Sequence, residues 1–397
     1  MSVNKSFIKI FNGQLITPDG ILPNGTLIVK DGKIADISAT GWDVPDAFPI
    51  DAGGLYVSPG FIDIHVHGGG GHDFMDNSVE AFLEIAKTHA RFGTTAMFPT
   101  TLTGPAEDII KTLEVYEAAA PLNKSGAEFM GLHLEGPYFA MAQRGAQDPK
   151  WIRDPDPREY EYIVSKSRSI KRWSAAPELK GAIEFAKFLK SKNILPALAH
   201  TDAIYEEVIV GFENGYTLAT HLYSGMSGVT RRNAFRYAGV IESAFLIDGM
   251  DVEIIADGVH LPAPLLKLIY KIKGPGRIAL ITDAMRAAGE PPGESIIGNR
   301  VTGLKVIVED GVSKLPDRSS FAGSVATADR LVRTMIQMAG VSLADAIRMI
   351  TQTPASIMHI SDRKGSLEVG KDADIVLFDE NISIHTTMIQ GKIIYEK

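Results

Sequence analysis

The chain has 397 residues, 45% apolar and 22% charged, with 40 Lys and Arg against 48 Asp and Glu for a formal charge of −8. At roughly 150 residues per domain that length excludes a single small module, and the composition excludes a disordered chain. Mild acidity without basic runs excludes the electrostatic footprint of a nucleic-acid or membrane-surface binder, and the absence of cysteine excludes disulfides, zinc-thiolate sites and thiol catalysis.

The N-terminus carries no apolar stretch of signal-peptide length, and no run of about 18 apolar residues follows anywhere, so a cytoplasmic protein is expected. From about Phe7 to Ile50 short β-rich runs, FIKIFNGQLIT and GTLIVKDGKIADISA, are broken by NG, PDG and DGK turn signals. The same texture returns in GSLEVGKDADIVLFDENISIHTTMIQGKIIYEK, which predicts one β-domain assembled from residues 1–57 and 356–397. Between them, over 58–355, apolar runs alternate with amphipathic stretches such as VEAFLEIAKTHARF, the βα rhythm of a parallel sheet. Eight strand candidates, GFIDIHVH, TTAMFPT, FMGLHLEG, RWSAAPE, LPALAHT, YTLATH, VEIIADG and RIALITDA, predict an α/β chain built on a (β/α)8 TIM-type barrel. A β insertion is expected near 298–320, and the segment from Ala326 through SLADAIRMITQTPA reads as a helical close.

Nearly every candidate strand ends in a polar group: His65 and His67, Glu135, Glu178, His200, His221, Asp257 and Asp283. Catalytic groups of barrel proteins sit at that rim, whereas residues deeper in the strands pack in apolar layers. His65 and His67 lie two apart, so their imidazoles point the same way from one strand. With Glu135, His200 and His221 they form a candidate set for a divalent metal, most simply zinc, although iron, cobalt, manganese and nickel fit the same ligand types. Glu135, His200 and His221 make one three-ligand site; His65 and His67 make a second, with Glu135 as a possible bridge, and the number of ions stays open. A metal there activates water and polarises a carbonyl, as amide hydrolysis requires. Asp283 is then the proton carrier, the alternatives being a metal ligand or a helix N-cap.

Among the other histidines, His260 at the exit of IIADGVH is expected to face substrate. His133 reads as support for the site or as core, His72 as structural, and His89, His359 and His385 as surface or core residues. The RRNAFR stretch holds Arg231, Arg232 and Arg236, either a phosphate-binding group or a solvated face.

The strings PGFIDIHVHGGGG, GLHLEGPY, LAHTDA, ATHLYSGM, IIADGVH, LITDAM and GSLEVGKDADIVLFD resemble the amidohydrolase superfamily and, more narrowly, the N-acetylglucosamine-6-phosphate deacetylases, nearly end to end. The resemblance implies a barrel with a small β-sandwich from both termini, metal-dependent removal of acetate from a phosphorylated amino sugar, and a homodimer. It implies Glu135, His200 and His221 as principal metal ligands, His65 and His67 as a second-site pair, and Asp283 as general base and acid. It further implies His260 on a sugar hydroxyl, Arg232 on a phosphate in the neighbouring subunit's site, and backbone amides near Ser224 and Gly225 on the same phosphate. Three features depart from the family pattern: Gln147 stands where a histidine usually helps hold the substrate carbonyl, Ser224-Gly225 replaces Asn-Ala, and three arginines crowd the phosphate position. Two rival readings follow: an amidohydrolase acting on another N-acyl substrate, such as N-acetylgalactosamine 6-phosphate, and a non-catalytic barrel serving as a binding or assembly subunit.

Overall fold

In each of eight short runs β-branched and apolar residues are buried on both faces, the signature of parallel strands covered by helices. In the computed structural model, which describes residues 7–39 and 44–397, these are Phe61–Val66, Thr94–Thr101, Leu132–Glu135, Ile170–Ala175, Leu195–Leu198, Leu218–Ala219, Asp251–Ile254 and Ile278–Leu280. Each pairs in parallel with the next. A bridge between Val66 and Ala284 joins the last to the first, with the Asp283 N–H donating to His65 O at 2.9 Å. The expected barrel is therefore present, closed at its rim by this short seam.

The strands are shorter than the apolar runs suggested. FMGLHLEG breaks because Gly131 takes φ +130°, and a Cβ there would lie 2.2 Å from Lys171 Cγ. Helices such as Val79–Ala90 begin where a side chain caps them, here Ser78 Oγ accepting from Ala81 N. Their buried faces, Phe82, Ile85 and Ala86 in this case, join the main core around the barrel.

The two termini share one hydrogen-bonded sheet of eight strands, in which Tyr56–Pro59 pairs with Ile375–Phe378 and Phe7–Thr17 pairs with Gly20–Lys30. Strand alternation explains how it attaches: Ile375 and Leu377 enter the sheet's own core, whereas Val376 and Phe378 enter the barrel's. The insertion is a three-stranded meander, Gly293–Ile297, Leu304–Glu309 and Val312–Lys314, beginning five residues earlier than expected. Its apolar face, with Ile297, Val306 and Val308, packs on Met285, Ala287 and Ala322 in a separate small cluster beside the barrel mouth. No helix among the described residues is long and apolar enough to cross a membrane.

Candidate active site

Six side chains from five strand ends meet at the mouth of the barrel, and all six are buried: His65, His67, Glu135, His200, His221 and Asp283. Three of them leave their strands through left-handed backbone, His200 at φ 46°, His221 at 32° and Asp283 at 47°. Such a conformation costs a non-glycine residue roughly 1–3 kcal/mol, and here it turns each side chain inward over the barrel axis. Packing fixes one of these turns: Gly225, itself at φ +57°, lies so near His200 that a Cβ would stand 2.7 Å from Nδ1.

Glu135 is the hub. Its Oε1 lies 3.0 Å from His221 Nε2, 3.4 Å from His200 Nε2 and 3.5 Å from His65 Nε2; its Oε2 lies 3.5 Å from His67 Nε2. His65 Nε2 and His67 Nε2 approach to 3.2 Å, and Asp283 Oδ1 is 3.1 Å from His67 Nε2. Ligand atoms around a tetrahedral zinc with bonds of about 2.0–2.1 Å are separated by roughly 3.3 Å, so these spacings suit a cation between them. Two overlapping groups meet the condition, His65–His67–Glu135 and Glu135–His200–His221. No Lys or Arg pairs with Glu135 or Asp283 among the described residues, so the two carboxylates have only imidazoles as ion-pair partners, and a dication bound there would balance their charge. The donor set fits a divalent metal.

The far nitrogens of three of the four rings are anchored, which turns Nε2 inward, whereas buried His221 Nδ1 has no hydrogen-bond partner among the described residues. His200 Nδ1 donates to Gln143 O at 2.8 Å and His67 Nδ1 lies 3.3 Å from Thr100 O. His65 Nδ1 lies 3.4 Å from Glu253 Oε2. Glu253 is ion-paired in the barrel interior with Arg172, which also donates to Thr220 Oγ1 at 2.7 Å and to Ile64 O at 3.3 Å. Neither member of this fully buried pair stood out in the sequence reading. Each shares its strand with a second charge, Lys171 or Asp251, that lies toward the surface, so only the fold marks Arg172 and Glu253 as the buried ones.

Electrostatics reflect the crowding. Burial pushes the Glu135 and Asp283 carboxyls up, but the facing imidazoles more than offset it, holding Glu135 well below the usual carboxylate range and Asp283 below it. Burial pulls His67 down, yet Asp283 and Glu135 overcome it and raise the ring to about 9 without a metal, whereas for His65 burial prevails and lowers it.

The cluster floors a cavity of about 280 Å³, also lined by Tyr223, Ser224, Gly225, His260, Phe321 and Ile297. His260 Nδ1 bonds Asp257 Oδ2 at 2.8 Å and its ring packs on Phe321 at 4.7 Å, leaving Nε2 as its free ring nitrogen. Asp257 thus positions His260. Glu178 accepts from Thr201 Oγ1 and Asp202 N and joins neither ligand group. His133, between Thr100 Oγ1 and Ser174 Oγ with its ring edge on His65, is buried support, and buried His89 bonds Gly68 O. Gln147 has a use its position in the sequence did not suggest: Nε2 donates to Glu135 Oε2 at 2.8 Å while Oε1 accepts from Thr103 N at 2.9 Å. The backbone amide of Ser224, expected to face a phosphate, instead donates to His221 O at 2.9 Å, because the chain turns there. Arg232 lies in the strand Thr230–Arg232, paired with Phe235–Tyr237; its side chain is outside the described residues.

Comparison with known proteins agrees with this geometry. The profile of the amidohydrolase family matches residues 56–394. The chain is 33% identical to an N-acetylgalactosamine-6-phosphate deacetylase of Escherichia coli O157:H7, covering 96% of this chain and 97% of that one. It is 32% identical to an N-acetylglucosamine-6-phosphate deacetylase of Bacillus subtilis (strain 168), covering 96% and 95%. The crystal structure of N-acetylglucosamine-6-phosphate deacetylase from Pasteurella multocida superposes with a TM-score of 0.91 at 27% identity, over 98% of this chain and 100% of that one. On fold, ligand cluster and sequence together, the chain belongs to the amidohydrolase family.

Proposed function

We propose that this protein is a divalent-metal-dependent N-acetylglucosamine-6-phosphate deacetylase, releasing acetate and D-glucosamine 6-phosphate in amino-sugar catabolism. The observation that carries the reading is the convergence of four imidazoles and two carboxylates, without a Lys or Arg partner among the described residues, at the barrel mouth, where all but His65 line one cavity. Glu135, His200 and His221 would hold one ion, and His65 and His67 with Glu135 a second; the donor set favours zinc. A metal held there supplies Lewis acidity toward water and the amide carbonyl. Asp283 Oδ1, kept ionised by its imidazole neighbours, takes a proton from water and returns it to the departing nitrogen. His260 offers Nε2 to a sugar hydroxyl, Ser224 and Gly225 border the sugar, and Gln147 steadies Glu135 beside the carbonyl. Arg232 is proposed to reach the phosphate of a neighbouring subunit's substrate in a homodimer, where a guanidinium fork suits phosphate better than an ammonium does. A sugar phosphate does not cross membranes unaided, which supports a cytoplasmic setting.

The galacto epimer is the second reading, favoured by the likeness to the Escherichia coli O157:H7 relative. Acetate release from N-acetylglucosamine 6-phosphate, N-acetylgalactosamine 6-phosphate and unphosphorylated N-acetylglucosamine separates these cases. The highest kcat/KM is expected for the gluco 6-phosphate. A higher value for the galacto epimer transfers the assignment, equal rates without phosphate overturn the role of the phosphate, and no acetate from any of them overturns the activity.

A further inference from the structure

The active-site cavity has one continuous apolar patch away from His260, made by Leu102, Ala146 and Ile297. Leu102 and Ala146 pack against the small cluster to which Ile297 belongs, so the meander and the barrel rim close on each other at this point. A second cavity of about 210 Å³ lies directly behind, sharing Leu102, Ala146, Gln147 and Ile297 as its near wall and continuing to Met75, Pro105, Trp151, Thr302 and Leu304. The partition is thin, and beyond it the apolar side chains share the lining with Asp108, Asp148, Lys150 and Asn299.

A substrate bound as proposed above, on which this inference rests, has its polar ring toward His260 and Ser224 and its carbonyl at the imidazole cluster. Its one apolar end, the acyl substituent, then meets the wall of Leu102, Ala146 and Ile297. Burying a methyl there is favourable by about 0.8 kcal/mol for each carbon removed from water. A longer chain, however, meets the Leu102 and Ile297 side chains before it can enter the space behind.

We propose that Leu102 and Ile297, backed by the second cavity, set the acyl length this enzyme accepts, and that removing the partition admits longer N-acyl amino-sugar 6-phosphates. Thr302 provides the control: it is exposed, lines only the rear cavity and touches none of the reacting groups.

The test is the ratio of kcat/KM for N-butyryl and N-propionyl substrates to that for N-acetyl, all as the same amino-sugar 6-phosphate, on metal-reconstituted full-length protein. The wild type should disfavour butyryl by about tenfold or more, the discrimination a pocket gains from an ill-fitting methylene. Leu102→Ala should raise the butyryl-to-acetyl ratio by about tenfold, and adding Thr302→Trp, which fills the rear cavity, should return it toward the wild-type value. Thr302→Trp alone should leave acetyl turnover unchanged. If Leu102→Ala does not fold, Ala146→Val gives the opposite reading by narrowing the same patch, and should lower the propionyl-to-acetyl ratio. Acetyl turnover with ratios unmoved by either substitution overturns the inference alone. Absence of turnover of every substrate by the wild type overturns the proposed activity and takes the inference with it.

Discussion

Among the described residues, two regions gather acidic and metal-ligating side chains, and they have opposite fates. At the barrel mouth Glu135 and Asp283 have only imidazoles as ion-pair partners among the described residues, the amide of Gln147 on Glu135 being neutral. Where the terminal sheet meets the barrel, Glu128, Asp372 and Asp374 come equally close together. There the chain supplies its own cations: Lys364 Nζ lies 2.5 Å from Asp374, 2.6 Å from Glu128 and 3.2 Å from Asp372, while Arg363 and Lys33 reach Asp372 at 2.8 and 2.5 Å. Close carboxylates alone therefore do not define a metal centre. What separates the two clusters is whether a side chain already occupies the position of the positive charge. The first cluster is open to a dication, and the second is a buried ionic rivet between domains.

The sharpest way to break this distinction is to remove ligands. His221→Ala should lose the ion held with Glu135 and His200, and turnover with it, whereas Asp374→Asn should leave metal content unchanged; elemental analysis after reconstitution checks both. Equal metal loss in the two variants would erase the contrast. Next in size, Asp283→Asn should keep its metal yet lose about 10²–10⁴-fold in kcat, the usual contribution of a positioned acid–base group. Near-normal kcat would remove Asp283 from the proton path. On the other side of the comparison, Lys364→Met leaves the buried Asp374 carboxylate without its cation and should destabilise the protein by about 3–5 kcal/mol, read from urea denaturation, without altering metal content. The smallest effect is acid sensitivity of the rivet. Burial pushes the Asp372 carboxyl up, but Lys33, Lys364 and Arg363 more than offset it, so it lies below its ordinary 3.8. A lowered carboxyl contributes stability that is complete above its unfolded value and lost as pH falls through the folded one. The urea midpoint should therefore fall below about pH 4 in the wild type, and this acid-dependent part should be smaller in Asp372→Asn.

The same contrast shows what was legible before the structure. Parallel strands buried on both faces are continuous apolar runs, so the barrel and the polar residues at its rim could be read directly, and His65, His67, Glu135, His200 and His221 do come together. The two-ended β-domain was legible because both ends share one texture of short strands and turns. Arg172 and Glu253 were not, since their pairing joins residues 81 apart on strands that meet only in the closed barrel. The left-handed turns at His200, His221 and Asp283 also carried no local mark, because the backbone is held there by packing rather than by glycine. Gln147 reads as a loop polar group, and only the fold sets it beside Glu135. The meander's true start was hidden because Gly298 is a bend inside the unit: its N–H bonds Asp73 Oδ2 at 2.9 Å.

Asp283 sits on the seam where the first and eighth staves of the barrel join, its N–H on His65 and its carbonyl receiving the Ser324 N–H at 2.8 Å. The chemistry is thus wired to completion of the cylinder. A nascent chain halted between residues 221 and 283 already carries five of the six converging groups but lacks the stave that aligns them. An ion gripping both sides of that joint would act as a staple on the finished fold, making metal loading a late checkpoint in maturation.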